Sequence, residues 1–224
     1  MGIIIAIDGV DASGKQTQTD LIAERLEREG KKVRKISFPA YDKPSSTLVK
    51  MYLNGDFGEK ATDVNAYATS VLFASDRFAT FRTDWGADYN SDTVIIADRY
   101  VSSNLIHQAS KIDDNAEKDA FLAWLDDLEY NVFGLPRPDA TIFLDMPPEY
   151  GARLMADRLN KSTGEAEKDI HESDTEYLCK SYDNAVYVAK KFGWTSIPCV
   201  KDGEIRSIEE IHEDIYTTIG ELIK

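Results

Sequence analysis

Apolar positions along the chain fall into two rhythms, short unbroken runs and longer stretches with a helical period. Ile3 to Ile7, Val94 to Ala97 and Ala140 to Leu144 are of the first kind. Such short, β-branched-rich runs suit strands buried on both faces. Val33 to Phe38, stopped by Pro39, and Trp194 to Val200 add two further strands. A helix is expected from about Gln16 to Glu29, ended by Gly30. Tyr67, Val71, Ala74, Phe78 and Phe81 step by four, three, four and three, which predicts a helix with its apolar stripe on the core. Leu178, Tyr182, Ala185, Ala189 and Phe192 make a second stripe, and Ile208, Ile211, Ile215, Ile219 and Leu222 close the chain as a third. Five strands separated by helices predict an α/β fold of three layers, a five-stranded parallel sheet flanked by helices and joined by right-handed crossovers. With no repeat or Pro/Gly-rich linker, residues 1–224 are expected to form one domain. Ligands in such sheets sit at the carboxyl ends of the strands, so the chemistry is expected there.

Charge narrows the choice of ligand. Twenty-six Lys and Arg against 40 Asp and Glu give a formal net charge of −14. That balance excludes general binding to nucleic acid or anionic membranes, which needs a cationic surface. A small anion can still bind where cations and backbone N–H groups converge. Cys179 and Cys199 are the only cysteines, which fits a reducing compartment and no disulfide framework. No run approaches the roughly 18 apolar residues of a membrane span. The start, Met1-Gly2-Ile3-Ile4-Ile5, lacks the basic region of a signal peptide, so a cytoplasmic location is expected.

Gly9-Val10-Asp11-Ala12-Ser13-Gly14-Lys15 matches the phosphate loop G-x-x-x-x-G-K between a predicted strand and a predicted helix. This makes the expected architecture the P-loop NTPase version of the three-layer fold. Glycines let the backbone curl around phosphate oxygens, and Lys15 adds a charge that can follow a transferring phosphoryl group. The next residue should be Ser or Thr, whose hydroxyl holds Mg²⁺, but here it is Gln16, with Thr17 one place on. Either the metal is left to water and acidic side chains, or the site is degenerate. Asp98-Arg99 follows the third strand, where an aspartate can hold a water of the Mg²⁺ shell and an arginine can fork onto phosphate. Phe73 and Arg77 lie four apart on a polar helix face with Ser70 and Thr80. They invite a stacked ligand, or else Phe73 packs in the core beside a solvated Arg77.

Asp98-Arg99-Tyr100-Val101-Ser102-Ser103-Asn104 resembles the signature of the thymidylate kinases, a family of nucleoside-monophosphate kinases. The resemblance extends through Phe38-Pro39, Leu72-Phe73-Ala74-Ser75-Asp76-Arg77, Pro138-Asp139 and Leu144-Asp145-Met146-Pro147-Pro148-Glu149. It implies phosphoryl transfer from ATP to dTMP with Mg²⁺, and a homodimer. It also implies that Asp11 holds the deoxyribose 3′-hydroxyl near the metal, that Phe73 stacks on thymine, and that Arg77 bonds its O4. Asn104 would face the base, with Ser103 opening the same helix. His107 would stand near C2′ where members usually carry Tyr or Phe. Tyr41 would lie near the substrate phosphate, and Asp169 and His171 near the sugar or base. Residues from about 153 to 170 resemble a lid over ATP, from which Arg153 and Arg158 would supply charge to the transition state. Kinases of another deoxynucleotide or nucleoside, or an inactive binding protein, are the competing readings. A switch GTPase is disfavoured, because Asn160-Lys161-Ser162-Thr163 fails the last place of N-K-x-D.

Overall fold

The computed structural model describes residues 1–161, 170–171 and 175–223, with the backbone alone described for 155–161. The sheet strands are β1 (Ile3–Gly9), β2 (Val33–Ser37), β3 (Val94–Asp98), β4 (Ala140–Asp145) and β5 (Thr195–Pro198). They run in the order β2-β3-β1-β4-β5, every pair parallel, with Ile5 opposite Ile96 on one side and Ala140 on the other. The expected five-stranded α/β fold is therefore observed. The Trp194–Val200 run splits after Pro198. Val200–Lys201 (β6) turns away to pair antiparallel with Glu204–Ile205 (β7). The proline has no N–H for a continued ladder, which suits a strand end.

β1 shows why its apolar run is unbroken. Ile5 and Ile7 face a core layer with Ile22 and Leu26 of α1 (Lys15–Arg28) and Ile211, Ile215 and Ile219 of α9 (Ile208–Ile219). Ile4 and Ala6 face the opposite layer, with Trp85, Tyr100 and Val101. Successive strand residues point to opposite faces, so a strand covered on both sides needs apolar residues throughout. α9 starts at a capping box, Ser207 and Glu210 each taking the other's backbone N–H.

Between the strands lie α2 (Thr47–Leu53), α3 (Ala66–Thr80), α4 (Gly86–Tyr89), α5 (Val101–His107), α6 (Asn115–Asp126), α7 (Pro148–Lys161) and α8 (Thr175–Phe192). α3 departs from the expectation. Its apolar stripe is partly exposed, with Tyr67 at 37%, Val71 at 38% and Phe78 at 39%, whereas Thr69, Ser70, Asp76, Arg77 and Thr80 are buried. The polar face is the inward one, because it lines a cleft and carries an ion pair rather than packing as core. α8 shows a milder version, burying Ser181 and Asn184 beside Ala185 and Ala189. Among the described residues no helix is long and apolar enough to cross a membrane.

Candidate active site

β1 delivers the chain into the phosphate loop and α1 takes it away. Gly9 is required, since a Cβ there would stand 2.8 Å from Ser13 Oγ and 2.9 Å from the Leu144 carbonyl oxygen. Ala12 (φ 60°) and Gly14 (φ 84°) are left-handed, the kind of turn that gathers backbone N–H groups around an anion. Val10 and Ser13 are buried, and Ser13 Oγ has no hydrogen-bond partner among the described residues. Lys15 Nζ donates to the Val10 carbonyl at 2.7 Å. Burial pushes its pKa down to about 8, helped by Arg99 and opposed by Asp11, Asp8 and Asp98. Gln16 and Thr17 are exposed.

β3 delivers Asp98 and Arg99 beside this loop. Arg99 also has a left-handed backbone (φ 65°), an uncommon state for a residue with a Cβ and one that clusters at functional sites. Its guanidinium donates to Asp11, to His107 Nε2 at 3.0 Å and to Ser103 Oγ at 3.3 Å. A guanidinium can only donate, so Nε2 of His107 accepts and the ring is neutral with its hydrogen on Nδ1. Burial and the neighbouring Arg99 push the His107 pKa well below its ordinary value, consistent with that tautomer. Asp11 behaves oppositely. Burial works against its charge, but Arg99 and Lys15 hold its carboxyl well below the usual range. Asp98 is pushed up, first by burial and further by Asp8 and Asp20, against Arg99 and Lys15.

A cleft of about 70 Å³ opens between these strand ends and α3. Asp11, Arg99, Ser103 and His107 form one wall, Phe73, Arg77 and Asn104 another, and Tyr41 and His171 stand at its margin. Arg77 is not solvated. It is 1% exposed and forks onto fully buried Glu129, with Nε and Nη2 each 2.6 Å from a carboxylate oxygen. Asn104 Nδ2 donates to the same carboxylate at 3.1 Å and to the Ser70 carbonyl at 3.1 Å. Both partners are acceptors, so the amide nitrogen must face them, leaving its oxygen as the acceptor the cleft can use. His171 is held by Tyr52, whose hydroxyl lies 2.8 Å from Nε2, while Ile170 N–H bonds the Leu53 carbonyl at 3.2 Å.

Most residues singled out in the sequence thus stand around one cleft and its adjoining loop. Arg153 is exposed on α7, its guanidinium 5.6 Å from the Tyr150 ring centre. The Arg158 side chain, Asp169 and most of the 153–170 lid lie outside the described residues. Three residues escaped the sequence reading. Glu129 sits in a widened π turn, Asp127–Val132, after α6, and only its partner 52 positions away reveals its role. Gln108 lines the cleft, 1% exposed, with Oε1 lacking a partner among the described residues. Asp8 accepts from Ser102 and Ser103 and from the Gly9 N–H, tying β1 to α5. Its signal was present, a carboxylate one residue before the loop inside an apolar run.

Comparison with known proteins agrees with this geometry. The family model for thymidylate kinase matches residues 7–191. A thymidylate kinase of Mycobacterium tuberculosis is 33% identical over 175 residues, covering 78% of this chain and 79% of that protein. A probable thymidylate kinase of Thermococcus gammatolerans is 31% identical over 226 residues, covering 100% of this chain and 98% of its own. A thymidylate kinase of Schizosaccharomyces pombe is 25% identical, with 98% of this chain and 92% of its own covered. With the phosphate loop, the Asp98-Arg99 strand end and the Phe73–Arg77 wall gathered around one cleft, this chain belongs to the thymidylate kinase family.

Proposed function

We propose that this protein transfers the γ-phosphoryl group of ATP to dTMP, giving dTDP and ADP. The observation that carries the reading is the hydrogen bonding of Asn104, a cleft-lining residue beside Arg77, whose amide nitrogen is taken by Ser70 and Glu129 and whose carbonyl oxygen is the acceptor left for a base. That pair accepts from a ring N–H and donates to a ring carbonyl, the pattern of thymine N3–H and O4. Cytosine presents the reverse pattern and is rejected, since it would leave buried polar groups unpaired. Phe73, half-buried beside them, offers its face to the base, and Asp11 accepts from the sugar 3′-hydroxyl.

An oxygen of the dTMP phosphate attacks the γ-phosphorus in line, and the bond to the bridging oxygen of ADP breaks. The attacking oxygen is already anionic, so no strong general base is needed. Lys15 leaves the Val10 carbonyl for the phosphates, and Arg99 neutralises charge on the acceptor side. We assign the lid at about 153–170 and its Arg153 and Arg158 to ATP, with Asp169 and His171 toward the acceptor. Residues 1–224 are read as one catalytic unit, cytoplasmic, and paired as a homodimer through surfaces such as the exposed apolar stripe of α3.

Mg²⁺ fits these residues in a limited way. Among the described residues no three His, Cys, Asp or Glu gather to cage a metal, which suits an ion that keeps its waters and leans on phosphates. Asp98 would hold it, through water, because a carboxylate whose charge burial disfavours gains from a cation beside it. Asp11 is engaged by Arg99 and would act further out. When bound, the ion would neutralise charge shared by the β- and γ-phosphates. Gln16, exposed, is therefore dispensable: Gln16→Ala should keep Mg²⁺-dependent activity within about tenfold, whereas Asp98→Asn should lose more. A Mg²⁺ titration of both variants checks the order, and the reverse order overturns this metal placement.

The direct test is a coupled ADP-release assay with ATP and a panel of nucleoside monophosphates. dTMP should be preferred and dCMP rejected. Turnover of dCMP equal to dTMP, or no turnover of any, overturns the reading.

A further inference from the structure

Behind the cleft lies a half-buried lysine that the transfer chemistry does not use. Lys111 follows α5 in the short turn Ala109–Lys111. Its Nζ donates to Tyr52 Oη at 3.0 Å, to the Val64 carbonyl at 3.1 Å and to Thr69 Oγ1 at 3.1 Å. An ammonium has three hydrogens, so each is directed. No carboxylate is among these partners, and burial pushes the Lys111 pKa down to about 7. Keeping a cation where burial disfavours it is costly, and joining α2 to α3 needs only an apolar side chain.

What the cation holds is Tyr52. This ring is 1% exposed and does not itself line the cleft, yet it backs two residues that do. It stands edge-on to Phe73 at 6.2 Å and edge-on to His171 at 5.5 Å, and its hydroxyl meets His171 Nε2 at 2.8 Å. A charged Lys111 has no lone pair and can only donate to that hydroxyl. The single phenol hydrogen is thereby turned toward the Ala61 carbonyl, 3.1 Å away, or the His171 ring.

We propose that Lys111 is a positioning residue for acceptor binding: through Tyr52 it sets the Phe73 ring and the His171 imidazole against the cleft. The inference rests on the reading of that cleft as the dTMP site. It concerns the acceptor alone, since none of the three partners of Lys111 belongs to the phosphate loop.

Lys111→Met in the full chain should raise the dTMP KM about tenfold, the scale of one lost hydrogen bond to a charged group. The ATP KM and kcat should stay within about twofold, and Lys111→Arg should restore most of the dTMP affinity. Tyr52→Phe removes the hydroxyl and keeps the ring. Combined with Lys111→Met it should add little, because both cut one connection. A second readout needs no turnover. The chain has only three histidines, so the ring nitrogens of His171 are assignable by ¹⁵N NMR. Their signals should move alike in Lys111→Met and Tyr52→Phe. Unmoved His171 signals, or dTMP and ATP KM values rising together with a lowered Tm, overturn the proposal. Failure of the wild type to bind dTMP by calorimetry overturns the functional reading instead, and the NMR result still judges the link from Lys111 to His171.

Discussion

Lys15→Ala is expected to lower kcat by about 10²–10⁴-fold, the scale of removing one charge-stabilising donor from a transition state. The fold should persist, because the ammonium bonds the Val10 carbonyl and anchors no other element. Near-normal turnover would end the phosphate-loop mechanism. The same residue predicts a pH signature. Its charged form dominates below the pKa of about 8 and is lost above it, so kcat/KM for ATP should fall as pH rises past that value. This quantity reports the free enzyme, whereas kcat reports the loaded one, in which phosphate charge favours the ammonium. The kcat profile should therefore stay level to higher pH, and Lys15→Arg should lack the step altogether.

The second large effect concerns Arg77 and Glu129. Both are buried and bonded twice at 2.6 Å, so truncating either leaves a lone charge in the interior. Arg77→Ala and Glu129→Ala should each cost about 3–5 kcal/mol of stability. The double variant should recover part of that loss, since neither charge is then stranded. Recognition should not recover. On the proposed function, losing the Arg77 bond to the base carbonyl should weaken dTMP by about 1.5–3 kcal/mol, tenfold or more, with ATP unaffected. Denaturation and calorimetry on the three variants separate the two roles. A double variant that binds dTMP normally would show that Arg77 only props the wall.

This pair also marks the limit of reading the chain without its fold. The strands were legible because Ile3–Ile7 and Val94–Ala97 are covered on both sides, and full burial leaves a continuous apolar signature. The phosphate loop and Asp98-Arg99 were legible because their geometry is local. α3 was legible as a helix but not in orientation. Three residues of its apolar stripe stand more than a third exposed while its polar face is buried, since that face lines the cleft and carries an ion pair. Periodicity reports that two faces differ, not which one meets the protein. Glu129 was illegible, since an acidic residue near a helix end reads as solvated until Arg77 and Asn104 are placed beside it. Lys111 was illegible for the same reason, its partners coming from three separate stretches of chain.

Asp8 carries a consequence for anyone who would alter this enzyme. One carboxylate binds the Gly9 N–H, which opens the phosphate loop, and the hydroxyls of Ser102 and Ser103, which open α5. The two halves of the site are therefore fastened to one another, by Asp8 as well as by Arg99, and cannot be treated as interchangeable modules. A loop graft intended to change the phosphate donor shifts the footing of α5, and with it Asn104 and His107. A substitution made to admit a different base feeds back on the loop in the same way. Redesign of either selectivity has to carry Asp8, Ser102 and Ser103 along as one unit.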